Sequence, residues 1–352
     1  MKRILLKAFC LLAVLSLSFV FQAGTQTKKK LGIADKYSKN VKLRMKDLRK
    51  KNKVCVVFAH GFGGSGKGHV RQYVNAGMFP NCKIVSCEFP DSPRVKGNNG
   101  KVNISKTYFG QGKEQEVLQE TFEEVQRKYK ILLAGVSRGA IAVLNSDLKD
   151  DAVGIFVESP AATLEDVAQN YCKQYGFGWI PSLGKLVHEW VFPWIFNSYD
   201  PKGAKPLDYA KDIPHTVPVF ISYVKNDHLI PAASSVALAE ELVKAGHPQV
   251  YLYGSEVGQH GSMFNQKYAD VTHAFLKLCG ACNSKNKDYN CSDGYKLLAA
   301  CKIDSLEQVE AIKKEAEWLN WKNYLGRNLA VLSGIVTCCT FLARKAWSFI
   351  ES

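Results

Sequence analysis

Short apolar runs alternate along this chain with longer segments in which apolar residues recur every three or four positions. The short runs are rich in β-branched and aromatic residues, as buried strands are. The longer segments have the period of amphipathic helices, and residues 114–128, for example, place Leu118 and Phe122 on one face. This alternation predicts an α/β fold with a mostly parallel central sheet flanked by helices. The predicted strands are Val54–Ala59, Ile84–Phe89, Ile131–Val136, Val153–Val157, Val217–Val224 and Val250–Tyr253, and the predicted helices include Glu114–Lys128, Arg138–Leu148 and Ser234–Ala245.

One stretch of the chain breaks this alternation. Between Pro160 and Pro214 the chain carries many aromatic residues where a short connection would suffice. An insertion of this length between two core strands is typical of a lid or cap, which we predict over about 161–214. The pattern does not separate aromatics that bury the insertion from aromatics that line a pocket. The aromatics are Tyr171, Tyr175, Phe177, Trp179, Trp190, Phe192, Trp194, Phe196 and Tyr199.

The first 23 residues have the pattern of an export signal. A cationic start is followed by the apolar run Ala8–Phe21 and by a small-residue cleavage point at Ala23. The pattern predicts a signal peptide over 1–23 and an exported protein, whether secreted, periplasmic or envelope-associated. Because Phe21 stands where cleavage sites prefer a small residue, an uncleaved N-terminal anchor is the alternative.

Residues 24–52 form a predicted basic linker and carry much of the net charge of +15. Such a charge favours attraction to anionic surfaces, although a solvated linker explains the same residues. Lys28–Lys51 contains no aromatic residue apart from Tyr37, which argues against nucleic acid as a partner. The hydrophobic fraction of 46% is enough for a sizeable core and argues against global disorder.

Cysteines cluster after the last predicted strand, at the start of a Cys-rich, helical C-terminal extension predicted over 279–352. Cys279, Cys282, Cys291 and Cys301 begin with the C-x-x-C spacing of zinc sites in reducing compartments. Behind an export signal, disulfides are favoured over zinc and no metal is expected. The sequence does not fix which cysteines pair.

The rest of the extension predicts one helix and one apolar segment. A helix from Ser305 to about Tyr324 begins with a capping pattern, because Gln308 follows Ser305 by three positions. The uncharged run Leu329–Ala343 is shorter than the ~20 residues that a membrane-spanning helix needs. Since basic residues flank this run, the pattern favours a docked or interfacial helix and peripheral membrane contact.

The residues with the strongest chemical signal are Gly135-Val136-Ser137-Arg138-Gly139, which fit the pattern G-x-S-x-G between a predicted strand and a predicted helix. On a tight strand-to-helix turn the serine oxygen projects above the sheet edge, and Gly135 and Gly139 avoid clashes with neighbouring backbone. The start of the following helix also supplies N–H groups where negative charge develops. We therefore predict that Ser137 is a nucleophile.

A glycine-rich loop, His60-Gly61-Phe62-Gly63-Gly64, directly follows the first predicted strand. Its backbone can approach a ligand closely, and we predict that the N–H groups of Phe62 and Arg138 form an oxyanion hole. The competing hypothesis is a phosphate-binding loop ending at Gly66-Lys67. Gly68 follows this lysine where a phosphate loop needs Ser or Thr, which argues against a nucleotide cofactor.

An acid and a base follow at the ends of later predicted strands. Asp227 lies just after the strand that ends at Val224, where a carboxylate can orient an imidazole and stabilise its charged form. His260 follows the last short strand, in Gly-Gln-His-Gly. His228 is a nearby competitor, but its position beside the acid favours a structural or surface role. We predict that His260 is the general base.

Taken together, residues 53–278 resemble the α/β-hydrolase superfamily. The His-Gly-Phe-Gly-Gly loop, the Gly-Val-Ser-Arg-Gly turn, the Asn-Asp-x-x-x-Pro turn and the Gln-His-Gly segment carry the resemblance. It implies the α/β-hydrolase fold, the chain order Ser137, Asp227, His260 for nucleophile, acid and base, an acyl-enzyme intermediate and no cofactor. The basic segment and the Cys-rich extension match no part of this pattern.

The resemblance favours a serine hydrolase that cleaves an acyl or carboxylic ester, with a small-molecule or lipid-like ester as substrate. The aromatic insertion favours a hydrophobic acyl group. A peptidase or thioesterase of the same fold is the alternative within enzymes, since one fold hosts many reactions. The alternative outside enzymes is a catalytically silent protein that binds a membrane or envelope surface through its basic segments.

Overall fold

A seven-stranded sheet forms the centre of the structure, a computed structural model that describes residues 53–79, 81–174, 177, 180, 182–282, 291–319 and 321. All of these residues belong to the compact unit Leu48–Ser352. The strands are β1 (Val54–Ala59), β2 (Lys83–Ser86), β3 (Lys130–Val136), β4 (Ala152–Glu158), β5 (Val219–Val224), β6 (Val250–Ser255) and β7 (Lys302–Ile303). Their order across the sheet is β2-β1-β3-β4-β5-β6-β7.

The sheet is parallel from β2 to β6, and β7 pairs antiparallel with β6 at one edge. Every residue of β1 and β5 is buried, as expected for parallel strands that are covered on both faces. The predicted α/β fold with a mostly parallel sheet is therefore confirmed.

Helices cover both faces of the sheet. Alternate residues of β1 point to opposite sides: Val57 belongs to one buried apolar cluster and Phe58 to the other. The helices are α1 (Gly66–Asn75), α2 (Lys113–Gln126), α3 (Arg138–Asn145), α4 (Leu164–Gln174), α5 (Leu183–Leu186), α6 (Phe192–Ile195), α7 (Pro206–Tyr209), α8 (Ala232–Lys244), α9 (Gln266–Leu278) and α10 (Cys291–Ala300). Residues of α2, α3 and α8 line the first cluster, and those of α1 and α9 line the second.

The strand order places a crevice at the carboxyl ends of β1 and β3. The chain passes from β1 outward to β2 and then returns to β3 on the other side of β1. Connections that leave neighbouring strands in opposite directions open a crevice at their carboxyl ends, which is where ligands bind in open α/β sheets. The glycine-rich loop follows β1 and Ser137 follows β3, so both lie at this crevice.

Two predicted elements end earlier than the apolar pattern indicated. The predicted strand 84–89 is regular only to Ser86, because Phe89 N–H donates to the His60 ring and Pro90 has no N–H for a ladder. The predicted helix 138–148 ends at Asn145. There the backbone becomes extended at Ser146, whose hydroxyl donates back to the Val143 carbonyl.

The insertion after β4 is mostly helical in the part that the structure describes. It contains α4, α5, a π-helical turn at Val187–Val191, α6, α7 and a 3₁₀ turn at Ala210–Asp212. Phe192, Phe196 and Tyr199 are buried in an apolar cluster with Ile141 of α3. Tyr175 and Trp179, two of the predicted aromatics, lie outside the described residues.

The described part of the C-terminal extension packs against the edge of the sheet. It comprises α10, β7 and a helical stretch over 306–319. Ser305 Oγ accepts from Gln308 N–H at 3.3 Å, and Gln308 Oε1 accepts from Ser305 N–H at 3.1 Å. These reciprocal bonds are the predicted capping box. Lys225 Nζ, after β5, lies 2.6 Å from Glu315 Oε1 on this stretch.

Several sequence predictions lie outside the described residues: the signal peptide over 1–23, the basic linker over 24–52 and the apolar run Leu329–Ala343. Among the residues that the structure does describe, no helix combines the length and the apolar character needed to cross a membrane.

Candidate active site

Ser137 occupies the turn between β3 and α3 with φ +53° and ψ −119°. A positive φ is uncommon for serine, and it persists only where the surrounding structure imposes it. Here the Ser137 N–H donates to the Glu158 carbonyl of β4 at 2.8 Å. A Cβ on Gly139 would lie 2.1 Å from the Ala59 carbonyl oxygen, and one on Gly135 would lie 2.5 Å from the Gly139 carbonyl oxygen. Both glycines are therefore required by backbone packing.

Ser137, His260 and Asp227 form one chain of hydrogen bonds. His260 Nε2 lies 2.8 Å from Ser137 Oγ, and His260 Nδ1 lies 2.7 Å from Asp227 Oδ2. A carboxylate only accepts, so Nδ1 carries the proton and Nε2 presents its lone pair to the serine hydroxyl. The structure thus brings the predicted nucleophile, acid and base together in the geometry of proton transfer from serine to histidine.

Asp227 is held by the turn that follows β5. Its Oδ1 accepts from the N–H groups of Leu229 and Ile230 at 2.8 and 3.1 Å, which leaves Oδ2 for His260. The Asp227 side chain is 1% exposed. The competitor His228 is exposed, and its carbonyl oxygen accepts from the Asn170 amide at 3.3 Å. The imidazole that is hydrogen-bonded to the Ser137 hydroxyl is that of His260.

The pKa of His260 reflects opposed effects. Burial lowers the pKa of the imidazole, while the charge and the hydrogen bond of Asp227 and the charge of Glu158 raise it. The combined carboxylate effects prevail, so the pKa of His260 lies above its usual value of 6.5. The arrangement therefore favours the imidazolium that forms when the histidine takes a proton.

Hydrogen bonds to the Gly61 carbonyl oxygen hold the glycine-rich loop in place. The His60 Nε2 atom accepts from Phe89 N–H at 3.2 Å, so the proton lies on Nδ1, which donates to Gly61 O at 2.7 Å. Arg138 Nη2 donates to the same oxygen at 3.3 Å. In a trans peptide the C=O and the next N–H point in opposite directions. The Phe62 N–H therefore points away from the His60 ring and from the Arg138 guanidinium.

The second predicted oxyanion donor is the N–H of Arg138. Arg138 is the first residue of α3, so its N–H has no carbonyl one turn earlier to bind. The helix dipole adds positive potential at this point. A Cβ on Gly61 would lie 3.6 Å from Ser137 Cβ, so the loop lies directly against the serine turn.

The Arg138 side chain has a role that no sequence motif indicated. The guanidinium is 1% exposed, and its Nη1 lies 2.6 Å from Asp91 Oδ2 and 3.1 Å from Glu114 Oε1. Glu114 also accepts from the N–H groups of Tyr108 and Gly110. This buried ion cluster joins the serine turn to the loop after β2 and to α2. No motif marks Asp91 or Glu114 in the sequence.

Two other residues near the site were also missed. Glu158, the last residue of β4, is fully buried, and its Oε2 accepts from the hydroxyls of Tyr73 and Tyr268 at 2.6 and 2.8 Å. Burial raises the pKa of Glu158, and the tyrosine hydrogen bonds oppose that rise. His69 of α1 stacks on His60 with ring centroids 5.9 Å apart, and burial lowers its pKa.

Aromatic rings surround the oxyanion loop. Phe62 lies 5.9 Å from Phe109 and 5.9 Å from Phe196, between ring centroids. Phe109 and Phe196 meet edge to face at 4.7 Å. Phe196 belongs to the insertion, so the insertion contacts the loop that carries a predicted oxyanion donor. A narrow cavity beside this cluster is lined by Phe109, Gln111, Ile141, Ala161, Leu164, Tyr199, Ala204, Lys205 and Pro206.

The cysteines that raised the zinc alternative do not form a metal cluster in the part of the chain that the structure describes. No group of three or more His, Cys, Asp or Glu side chains there is placed to hold a metal ion. Cys279 and Cys301 are largely enclosed by apolar residues, and burial raises the pKa of each thiol. The side chain of Cys291 lies outside the described residues.

Comparisons with known proteins found likeness in structure alone. No family model matches the sequence, and no curated protein matches it. An esterase of Pyrococcus furiosus, Pf2001, is similar with a TM-score of 0.45 and 18% identity, over 65% of this chain and 83% of the esterase. An acylaminoacyl peptidase of Pyrococcus horikoshii is similar with a TM-score of 0.47 and 18% identity, over 71% of this chain and 40% of the peptidase. An esterase of Thermogutta terrifontis, Est2, is similar with a TM-score of 0.45 and 17% identity, over 68% of this chain and 86% of the esterase.

Proposed function

We propose that this chain, whose sheet and nucleophile turn are those of the α/β-hydrolase fold, is a serine hydrolase that cleaves a carboxylic ester. The observation that carries the proposal is the hydrogen-bonded chain Ser137–His260–Asp227 at the carboxyl ends of β3, β5 and β6. A strained serine turn, an oriented imidazole and a buried acid are the parts that nucleophilic catalysis requires.

In the first half of the reaction, Ser137 Oγ attacks the carbonyl carbon of the ester while His260 Nε2 takes the hydroxyl proton. Asp227 stabilises the imidazolium through Nδ1. The negative charge that develops on the carbonyl oxygen is stabilised by the N–H groups of Phe62 and Arg138. As the tetrahedral intermediate collapses, the ester bond breaks and the leaving alkoxide takes the proton from His260. The product of this half is an acyl-enzyme and a free alcohol.

In the second half, water replaces the alcohol. His260 takes a proton from the water, whose oxygen attacks the acyl carbon, and the same two N–H groups stabilise the oxyanion. Collapse breaks the bond to Ser137 Oγ, which regains its proton from His260. The carboxylic acid leaves and the enzyme returns to its starting state without a cofactor.

The surroundings of the oxyanion loop favour an ester with a hydrophobic, lipid-like acyl group. Phe62, Phe109 and Phe196 form a continuous apolar surface beside the predicted oxyanion donor. Such a surface attracts alkyl or aryl groups through burial of apolar area. A charged group gains nothing there, so the surface favours substrates whose acyl group is apolar.

Substrates graded by chain length and by leaving group test the proposal. We expect hydrolysis of p-nitrophenyl esters, with a preference set by acyl chain length, and much slower cleavage of matched anilides and thioesters. Ser137→Ala should abolish turnover, whereas Ser105→Ala, at an exposed serine, should leave it unchanged. If the anilide or the thioester is preferred, the substrate class is wrong. If folded protein turns over none of them, with or without detergent, a silent binding protein is supported.

A further inference from the structure

Two cysteines that are distant in sequence meet at one edge of the sheet. Cys82 Sγ, just before β2, lies 2.6 Å from Cys282 Sγ, which follows α9. Two hundred positions separate them. Sulfur atoms that share no bond do not rest so close together. We propose that Cys82 and Cys282 form a disulfide that links the β2 segment to the start of the C-terminal extension.

The surroundings favour reaction at Cys282. Contact with Cys82, followed by the His273 ring on α9, lowers the pKa of Cys282 to about 6, against the opposing effect of burial. A thiol with a lowered pKa is largely thiolate near neutral pH, and the thiolate is the attacking form in disulfide exchange. The pKa of Cys82 is raised, as expected for the partner that holds the proton.

The oxidant is a small-molecule disulfide, for which oxidised glutathione is the probe. The Cys282 thiolate attacks one of its sulfur atoms, which forms a mixed disulfide and releases one glutathione thiolate. The Cys82 thiol then loses its proton, and its sulfur attacks Cys282 Sγ and displaces the second glutathione. In sum, two protein thiols are oxidised to one disulfide, one glutathione disulfide is reduced to two thiols, and the protons are conserved.

The other described cysteines differ in their surroundings. Cys87 and Cys279 are buried in the apolar core, and burial raises the pKa of each to about 12. Cys279 packs against β4, since a Cβ on Gly154 would lie 2.4 Å from its Sγ. Both therefore remain thiols while Cys82 and Cys282 pair.

Peptide mapping tests the pairing. The full-length protein is equilibrated with oxidised and reduced glutathione, denatured, alkylated without reduction and digested. We expect a cross-linked peptide pair containing Cys82 and Cys282, with Cys87 alkylated. Cys82→Ser should remove this pair and lower the midpoint of thermal unfolding under oxidising conditions alone, whereas Cys87→Ser should retain the pair. Alkylation of both Cys82 and Cys282 in the wild-type chain, or a link from either to another cysteine, would overturn the proposal even if a variant fails to fold.

A second, independent observation concerns the buried carboxyl of Glu158. Its Oε2 accepts from the hydroxyls of Tyr73 and Tyr268. The backbone carbonyl of Glu158 accepts from Ser137 N–H. The backbone of Met263, three residues after His260, faces the carboxyl. Glu158 is therefore bound to the serine turn and lies beside the histidine loop.

We propose that Glu158 is a positioning residue that stabilises the imidazolium of His260 with a second negative charge, in addition to that of Asp227. This proposal rests on the hydrolase function proposed above. Burial raises the pKa of Glu158, and the charge of His260 opposes that rise, while the charge of Glu158 raises the pKa of His260. Each charge therefore stabilises the other. The polar groups that face the pair are Tyr73 and His69 of α1, Tyr268 of α9, Ser222 of β5, Ser137 and Asp227.

Nuclear magnetic resonance titration of the His260 imidazole tests this role without any turnover. In a Ser137→Ala background, Glu158→Gln keeps an oxygen that accepts from the tyrosines but removes the charge. We expect the pKa of His260 to fall by about one unit. In the active enzyme, the acidic limb of kcat/KM should move to lower pH by the same amount.

Tyr73→Phe is the matched control, because it removes one hydrogen bond and keeps the charge. An unchanged pKa of His260 in folded Glu158→Gln protein would overturn the proposal. Because the titration needs no substrate, it decides the role of Glu158 even if the enzyme fails to cleave any ester.

Discussion

At the residue scale, the serine turn combines a strained backbone with close packing. Ser137 holds φ at +53°, where a side chain is disfavoured, so neighbouring atoms must enforce the conformation. They do so through the ladder bond to Glu158 and through Gly139, whose missing Cβ lets α3 approach β1. The strain raises Ser137 Oγ above the sheet edge towards His260.

Gly139→Ala tests this packing. The added methyl group would lie 2.1 Å from the Ala59 carbonyl oxygen, so we expect the free energy of unfolding to fall by about 3 kcal/mol or more. Gly63→Ala is the comparison, because Gly63 has φ +79° and no atom within 4 Å of the added Cβ. It should cost about 1 kcal/mol, from backbone strain alone. Urea unfolding measures both, and equal losses would show that close packing at position 139 is not decisive.

The buried ion cluster predicts a large effect of the Arg138 side chain. In Arg138→Ala, Asp91 and Glu114 lose their buried counter-charge, so we expect unfolding free energy to fall by about 3–5 kcal/mol. Lys244→Ala removes the solvent-exposed pairs with Glu240 and Glu241 and should cost far less. Urea unfolding compares the two variants. Similar losses would show that the buried cluster contributes no more than a surface ion pair.

The pKa of His260 predicts the pH dependence of turnover. The base works as neutral imidazole, so kcat/KM should rise with pH through the pKa of His260, with its midpoint above 6.5. Asp227→Asn removes the charge that raises this pKa, so the midpoint should move to lower pH while kcat falls by about 10⁴-fold. A pH–rate profile of both proteins provides the measurement. A midpoint that rises in Asp227→Asn would contradict the assigned roles.

At the scale of elements, the insertion has a buried aromatic face and an exposed aromatic face. Phe196 is 3% exposed and contacts Phe62 and Phe109, whereas Trp194, two residues earlier, is 68% exposed. Substitutions of these two side chains therefore distinguish the contribution of core packing from that of the solvent-facing surface.

Truncation of each ring tests this division. We expect Phe196→Ala to lower the free energy of unfolding by about 3–5 kcal/mol, because it opens a cavity among packed rings. Trp194→Ala should change it by about 0.5 kcal/mol or less. Thermal unfolding of the two variants measures both losses of stability. If the Trp194 variant is the less stable, the buried face has been assigned wrongly.

The apolar pattern predicted the core elements well because their local signals agree with the fold. The buried strands β1, β3 and β5 stand out as apolar runs, and the Gly-Val-Ser-Arg-Gly motif marks the start of α3. The helices α1 and α9 were not predicted. Two glycines weaken the helical pattern of α1, whereas the apolar residues of α9, such as Tyr268, Val271 and Phe275, do recur on one face and could have been recognised.

At the scale of the whole molecule, the sequence order of the motifs predicted the site, while its supporting residues could not be predicted. Ser137, Asp227 and His260 each follow a predicted strand, and their motifs and their order along the chain identify them. Glu158 and Asp91 are single acids without motif spacing. They reach the site because neighbouring strands and loops converge at one edge of the sheet, and such long-range contacts leave no local pattern.

The proposed hydrolysis requires above all that Ser137 is an activated nucleophile. Labelling of the purified protein with a fluorophosphonate probe tests this, because the probe captures a serine only when a base accepts its proton. We predict that the wild-type protein is labelled, that peptide mass spectrometry finds the adduct on Ser137, and that Ser137→Ala and His260→Ala are not labelled. Folded wild-type protein that remains unlabelled in buffer and in detergent, or an adduct on another serine, would contradict the account.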